Sequence, residues 1–246
     1  MKRHAVDTAP IQALLEPFLE LPLPSSTLDQ ISTYIDLLLR WNARINLTAI
    51  RHPEEIVTRH FGESFFLASH LFPKSVANAS SSCHPERSQA KSEAIGSAKS
   101  KDPYPSTAPR VLDIGSGAGF PALPLKLWAP HIHLTLIESN HKKAAFLREV
   151  ARALTLTNIN VLTDRAETLA SRPGFPRAEV VTLRAVEHFE TILPQAVTFL
   201  AQNATLALLI STAQVPHLTA HTALKWQPPI PVPQSHTRVL SIGIHT

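Results

Sequence analysis

A chain of 246 residues, 44% hydrophobic and 17% charged, can bury a full core as one large domain or as one domain with a smaller appendage. Its single cysteine, Cys83, excludes an intrachain disulfide and fits a reducing, cytoplasmic setting. Residues 1–10 have no apolar core of signal-peptide length, and the longest apolar stretch, near 204–210, falls far short of the roughly 20 residues a membrane span needs. The formal charge of +4 permits an anionic partner without demanding one.

Ile11, Leu14, Leu15, Phe18 and Leu19 recur at helical spacing and predict a first short helix, broken by Pro22 and Pro24. Thr27 and Gln30 match a capping box for a second helix, whose face runs through Leu28, Ile31, Ile35, Leu38 and Asn42. Pro53 stands at a third helix start, with Glu54 and Glu55 toward the positive end of the dipole. Ile56, His60, Phe61, Ser64, Phe65 and Leu71 continue that helix until Pro73. Residues 1–73 thus read as an N-terminal helical extension. Residues 74–109 turn rich in serine, lysine, alanine and proline and lose all periodicity, the composition of a disordered, low-complexity insertion. Five basic and three acidic residues there give +2, half of the chain's net charge, so bulk charge argues little for a nucleic-acid partner.

From Arg110 onward, strand and helix alternate. Val111, Leu112 and Ile114 read as a buried strand. Leu134, Leu136 and Ile137 make a second, ending at Glu138, before an amphipathic helix through Lys143, Phe146, Leu147, Val150 and Leu154. Residues 159–162 and 180–183 predict a third and fourth strand. A helix through Ile192, Ala196, Phe199 and Leu200 leads to a fifth strand at 205–210. Four prolines between 228 and 233 predict a loop, and 239–244 a last edge strand. The alternation implies βαβ units and a parallel sheet over 110–246.

Three of the 7 glycines fall at alternating positions in Asp113-Ile114-Gly115-Ser116-Gly117-Ala118-Gly119-Phe120. A strand, glycine turn and helix at the carboxyl edge of a parallel sheet form a nucleotide-binding crevice. Phe120 stands where the dinucleotide fingerprint has its third glycine. The spacing instead resembles motif I of the class I methyltransferases, which bind S-adenosylmethionine. Glu138, about 20 residues further on, stands where such a site places a carboxylate to receive ribose hydroxyls. Asp113 either bonds the turn itself or meets the amino-acid end of the cofactor. Asp164-Arg165-Ala166-Glu167 either offers an amide or carboxylate to the adenine amino group or starts a helix. Arg184 either clamps a carboxylate or phosphate or forms a surface ion pair.

Further stretches narrow the resemblance. They are Trp41-Asn42, Asn46-Leu47-Thr48-Ala49-Ile50, His60-Phe61 with Ser64, Lys142-Lys143, Phe146-Leu147-Arg148-Glu149-Val150, Arg165-Ala166-Glu167 and Arg184-Ala185. With the glycine motif through Pro121, they make the chain resemble the RsmG (GidB) family of bacterial 16S rRNA guanine-N7 methyltransferases over about 28–73 and 110–200. The resemblance implies a class I SAM-dependent methyltransferase of the α/β class: Rossmann-like, with a mostly parallel seven-stranded sheet, helices on both faces and an N-terminal helical extension. It implies cofactor contacts at Gly115, Phe120, Ala166, Glu167 and Arg184, to which the reading above adds Gly117 and Glu138. The partner it implies is 16S rRNA or the small ribosomal subunit, and the methyl donor S-adenosylmethionine; a monomer with no membrane and no metal is expected. Ala122, Glu63 and Leu183 depart from the family's usual glycine, aspartate and serine, and Ser211-Thr212-Ala213 lacks its common lysine-glycine pair.

Methyl transfer from a sulfonium is an in-line displacement, and guanine N7 offers a lone pair with no proton to lose. No general base is therefore expected, and neither His60 nor His141 is nominated as catalytic; His60 reads as a core or interface residue. Lys142, Lys143 and Arg148 either meet RNA phosphates or form a solvated helix face. Two alternatives remain: a SAM-dependent enzyme for another substrate, and a SAM-binding protein without turnover.

Overall fold

The computed structural model describes residues 8–74, 108–184, 189–220 and 223–246. Cys83, Ala185 and all but the ends of the 74–109 insertion lie outside the described residues. The chain opens with α1 (Thr8–Leu15), a 3₁₀ turn (Glu16–Phe18) and the long α2 (Ser25–Ile45). The predicted capping box is not used. Helix α2 starts at Ser25, earlier than that motif requires, and the Pro24 carbonyl accepts from Thr27 N and Leu28 N at 2.9 and 3.1 Å. Thr27 is buried inside the helix, and Gln30 Nε2 reaches across to donate to Leu154 O at 3.1 Å. Tertiary contact has claimed the side chain that a cap would need. The buried face is also wider than predicted, because Tyr34 and Leu37 join Ile31, Ile35, Leu38 and Asn42. Asn46 ends α2 in the left-handed region at φ 47°, which asparagine tolerates. Asn42 then holds the turn by bonding both Thr48 N and Thr48 O.

The third helix is interrupted. Helix α3 (Pro53–Glu55) runs into a π-helical turn (Ile56–Gly62) and then α4 (Glu63–Leu71). A π turn often marks a functional site, because it re-aims the side chains on either side of it. Gly62 closes it for a packing reason: a Cβ there would stand 2.7 Å from the Phe18 ring.

Strands β1 (Arg110–Ile114), β2 (His133–Ile137), β3 (Ile159–Leu162), β4 (Ala178–Arg184) and β5 (Leu200–Ser211) pair in parallel in the order β3-β2-β1-β4-β5. Helices α5 (Ala122–Trp128), α6 (His141–Ala153), α7 (Ala166–Ala170) and α8 (Phe189–Thr198) connect them. This is the mostly parallel α/β sheet that the sequence predicts. The carboxyl end differs. Strand β8 (Arg238–His245) is not an edge: it pairs antiparallel with β5 and with β6 (Leu224–Trp226). A two-residue strand, β7 (Ile230–Pro231), also pairs with β8 from within the predicted proline loop. The sheet therefore has eight strands, seven of them along one path, rather than the seven expected. Strands β6 and β7, which the sequence pattern does not place, span three and two residues, too short to show alternation.

Side chains alternate between two cores. Val111, Leu134, Leu136, Leu209 and Leu240 face α5, α6 and the N-terminal helices. Leu112, Ile114, Ile137, Val181 and Leu208 face α7 and α8. Each fully buried large apolar side chain contributes about 1.5–3 kcal/mol. Trp128 Nε1 donates to Phe72 O at 2.8 Å, which fastens the end of α4 to α5. The strand order reverses between β1 and β4, so the crevice of a doubly wound sheet opens at their carboxyl ends.

Candidate active site

The glycine turn sits on that crevice. Gly115 N and Ser116 N both donate to Ile137 O, at 2.9 and 3.1 Å, folding the turn over the end of β2. Glu138 follows β2 and is buried. Its Oε2 accepts from Gly117 N and its Oε1 from Asn140 N, each at 2.8 Å. Asn140 in turn caps α6, accepting from Lys142 N and Lys143 N. One carboxylate thus fixes both the turn and the start of the next helix.

A pocket of about 200 Å³ opens here. Gly115, Glu138, Ala166 and Glu167 line it together with Ser139, Asp164, Arg165 and Ile192, over the strand-end residues Ile114 and Ile137. The structure thus brings four of the seven predicted site residues into one cavity. Gly117 reaches it through Glu138. Phe120 and Arg184 lie on the side toward the N-terminal helices. Ser139 and Ile192 were missed, since neither carries a charge or a motif to mark it.

Phe120 is held between two rings. It stacks on Tyr34 at 5.2 Å and 7°, and on His60 at 4.6 Å and 18°. Tyr34 Oη donates to Ala118 O, so α2 grips the glycine turn directly. His60 Nε2 hydrogen-bonds Thr48 Oγ1 at 2.8 Å. Burial lowers the imidazole pKa to about 3, with Arg184, Arg59 and Arg238 acting in the same direction, so His60 is neutral at physiological pH. It is a core residue in this sense, packed on the turn.

Arg184 is not at the surface. Its Nη2 pairs with Glu63 Oε2 at 2.9 Å and also donates to Arg59 O. The two side chains are only 6% and 4% exposed. Arg238 Nε stands 3.4 Å from the same Glu63 oxygen. Burial draws the guanidinium down to about 10, against the pull of Glu63, and it stays charged at neutral pH. Asp113 is fully buried, and its Oδ1 accepts from Thr182 Oγ1 at 2.6 Å. Burial pushes its carboxyl up to about 7, opposed by the bond from Thr182, while Ser116 Oγ donates to the main-chain O of Asp113 at 3.2 Å. Asp113 Oδ2 and Arg184 Nη1 are both buried without a hydrogen-bond partner among the described residues. Arg148 is spent on structure, donating to Val161 O and Thr163 Oγ1, whereas Lys142 is exposed on α6.

A family profile described as rRNA small subunit methyltransferase G (GidB) matches residues 27–78 and 94–224. The chain belongs to this family. Proteins called ribosomal RNA small subunit methyltransferase G are its relatives. The one from Roseiflexus castenholzii is 36% identical over 174 residues, 70% of this chain and 60% of its own length. That from Chloroflexus aggregans is 37% identical over 185 residues, 73% and 62% of the two chains. That from Xylella fastidiosa is 32% identical over 206 residues, 82% and 78%. The chain thus spans about 60% of the length of the first two methyltransferase G relatives. Within the methyltransferase G match fall the whole glycine turn, Glu138, the 164–167 loop and Arg184.

Proposed function

We propose that the protein transfers a methyl group from S-adenosylmethionine to N7 of a guanine in 16S rRNA. The observation that carries this reading is the pair of buried, unpartnered polar atoms beside the glycine turn. Arg184 Nη1 is a donor suited to a carboxylate, and Asp113 Oδ2 an acceptor suited to an ammonium. Their charges act on one another. A zwitterionic amino-acid tail would offer each a partner of opposite charge. The pocket lined by Glu138 and the 164–167 loop then receives the nucleoside end. Glu138 keeps acceptor capacity beyond its two backbone bonds for ribose hydroxyls. Ala166 and Glu167 would meet the adenine, and Gly115 and Gly117 would let the ligand approach the backbone closely. Phe120, clamped by Tyr34 and His60, supports the turn from behind.

S-adenosylmethionine supplies the methyl group and leaves as the neutral thioether. The guanine N7 lone pair forms the new C–N bond as the C–S bond breaks, and no proton moves. The chain's task is therefore to hold the acceptor in line at roughly 3–3.5 Å and exclude water. The substrate is 16S rRNA or the small ribosomal subunit. The test is incubation with methyl-labelled S-adenosylmethionine and small-subunit RNA from a strain lacking the native enzyme, followed by nucleoside analysis. Labelled 7-methylguanosine is the expected product. No label, with S-adenosylmethionine binding intact, would overturn the rRNA reading and favour another substrate or binding without turnover.

A further inference from the structure

A second cavity, of about 370 Å³, lies at the opposite edge of the sheet. Its origin is geometric. Helix α7 has 5 residues and so covers about 7.5 Å, whereas the sheet strand β2, also 5 residues, is about 16 Å long. The amino-terminal half of the sheet face stays uncovered by helix, and the loop at 172–177 arches over it instead. The floor mixes Leu112 and Leu162 with Thr135 and Asn160, and the roof carries Pro173, Phe175 and Pro176. Arg110, Arg172 and Arg177 stand around the space, and no Asp or Glu lines it among the described residues.

Two of the three guanidinium groups have modest ties. Arg110 pairs with Glu179 at 2.9 Å, with 36% and 45% of the two side chains exposed. Arg177 Nη1 donates to Leu200 O at 3.1 Å. Arg172 Nη2 stands 3.4 Å from Asp164 Oδ2, an exposed and stretched contact. Each guanidinium has five N–H donors, so these bonds leave capacity at Arg172 and Arg177 for an anion. We propose that this cavity binds a small amphipathic anion, an aromatic or acyl body carrying one carboxylate, sulfonate or phosphate, and that Arg172 couples it to the pocket at the other edge. The apolar walls take the body and the arginines take the head. Asp164 lines the pocket at the carboxyl edge, so an anion that draws Arg172 away removes the restraint on that wall.

The probe is 8-anilinonaphthalene-1-sulfonate, whose fluorescence rises in apolar surroundings, titrated into the full chain. One saturable site is expected. N-phenyl-1-naphthylamine, the same rings without the sulfonate, should bind at least tenfold more weakly. Asn160→Trp fills the cavity mouth from the exposed edge strand β3, and Arg177→Ala removes one exposed guanidinium. Each should lower dye affinity at least tenfold without altering the melting temperature. With the dye saturating, S-adenosylhomocysteine should bind at least threefold more weakly to the native chain and unchanged to Arg172→Ala. Equal binding of the uncharged analogue, or dye binding indifferent to both cavity variants, overturns the site. Unchanged S-adenosylhomocysteine affinity in the native chain overturns the coupling. The coupling arm rests on the cofactor reading above and the dye arms do not, so the two fail separately.

Discussion

Asp113 and His60 carry opposite pH signatures. Burial raises the Asp113 carboxyl from 3.8 to about 7, so its stability contribution is complete below about pH 4 and is lost as pH rises to 7. At about 1.4 kcal/mol per pKa unit, the loss is on the order of 4 kcal/mol. His60 runs the other way, from 6.5 down to about 3, so its contribution is complete above pH 6.5 and is lost as pH falls. Between about pH 4 and 6.5 the two oppose each other and the native profile is flattened. Urea unfolding across that range should show stability rising with pH in Asp113→Asn and falling with pH in His60→Gln; parallel profiles would refute this assignment. Gly119 makes a second residue-scale prediction. It sits at φ +87°, and a Cβ there would collide with the Tyr34 hydroxyl and lie 2.6 Å from Leu123 Cδ1. Gly119→Ala should cost roughly 2–4 kcal/mol, and less in a Tyr34→Phe background, as read from a double-mutant cycle. Additive losses would show that the hydroxyl does not set the fit.

At the scale of elements, the glycine turn is held from two sides. Helix α2 holds it through Tyr34 and the π turn through His60, with Glu63 at the start of α4 reaching Arg184 on β4 and Arg238 on β8. One carboxylate therefore ties a helix to two strands. Removing its charge leaves two guanidinium groups uncompensated, so Glu63→Gln should lose about 3–5 kcal/mol in chemical denaturation. A loss under about 1 kcal/mol would mean that the cluster is stabilised from elsewhere. The strands β1 to β5 were legible because short stretches rich in Val, Leu and Ile, such as Val111-Leu112 and Val180-Val181, alternate with segments of helical period. The capping box failed because Gln30 had a better partner at Leu154, 124 residues away in sequence. The π turn was invisible, since its side-chain pattern still reads as an amphipathic helix.

For the molecule as a whole, the exposed start of α6 lies beside Glu138 and carries Lys142 and Lys143. If it meets RNA phosphates, replacing both lysines by alanine should raise KM for RNA across sequences and leave kcat intact. The slope of log affinity against log salt should shrink by about two units. Unchanged salt dependence would leave these lysines as a solvated face. No helix among the described residues is long and apolar enough to cross a membrane.

The sequence by itself determined the doubly wound sheet and the glycine turn. It also picked out Gly115, Glu138, Ala166 and Glu167, which the fold gathers around one pocket. Those features are local: they depend on side-chain period, on glycine's backbone freedom and on distance along a βα unit. The tertiary structure alone decided which charges are buried. It turned Arg184 from a candidate surface pair into a buried one with Glu63, took Asp113 and His60 out of water, and made β8 an interior strand. It also left a cavity where α7 falls short of the strand beneath it. Burial and long-range pairing are sums over residues distant in sequence, and no window along the chain contains them.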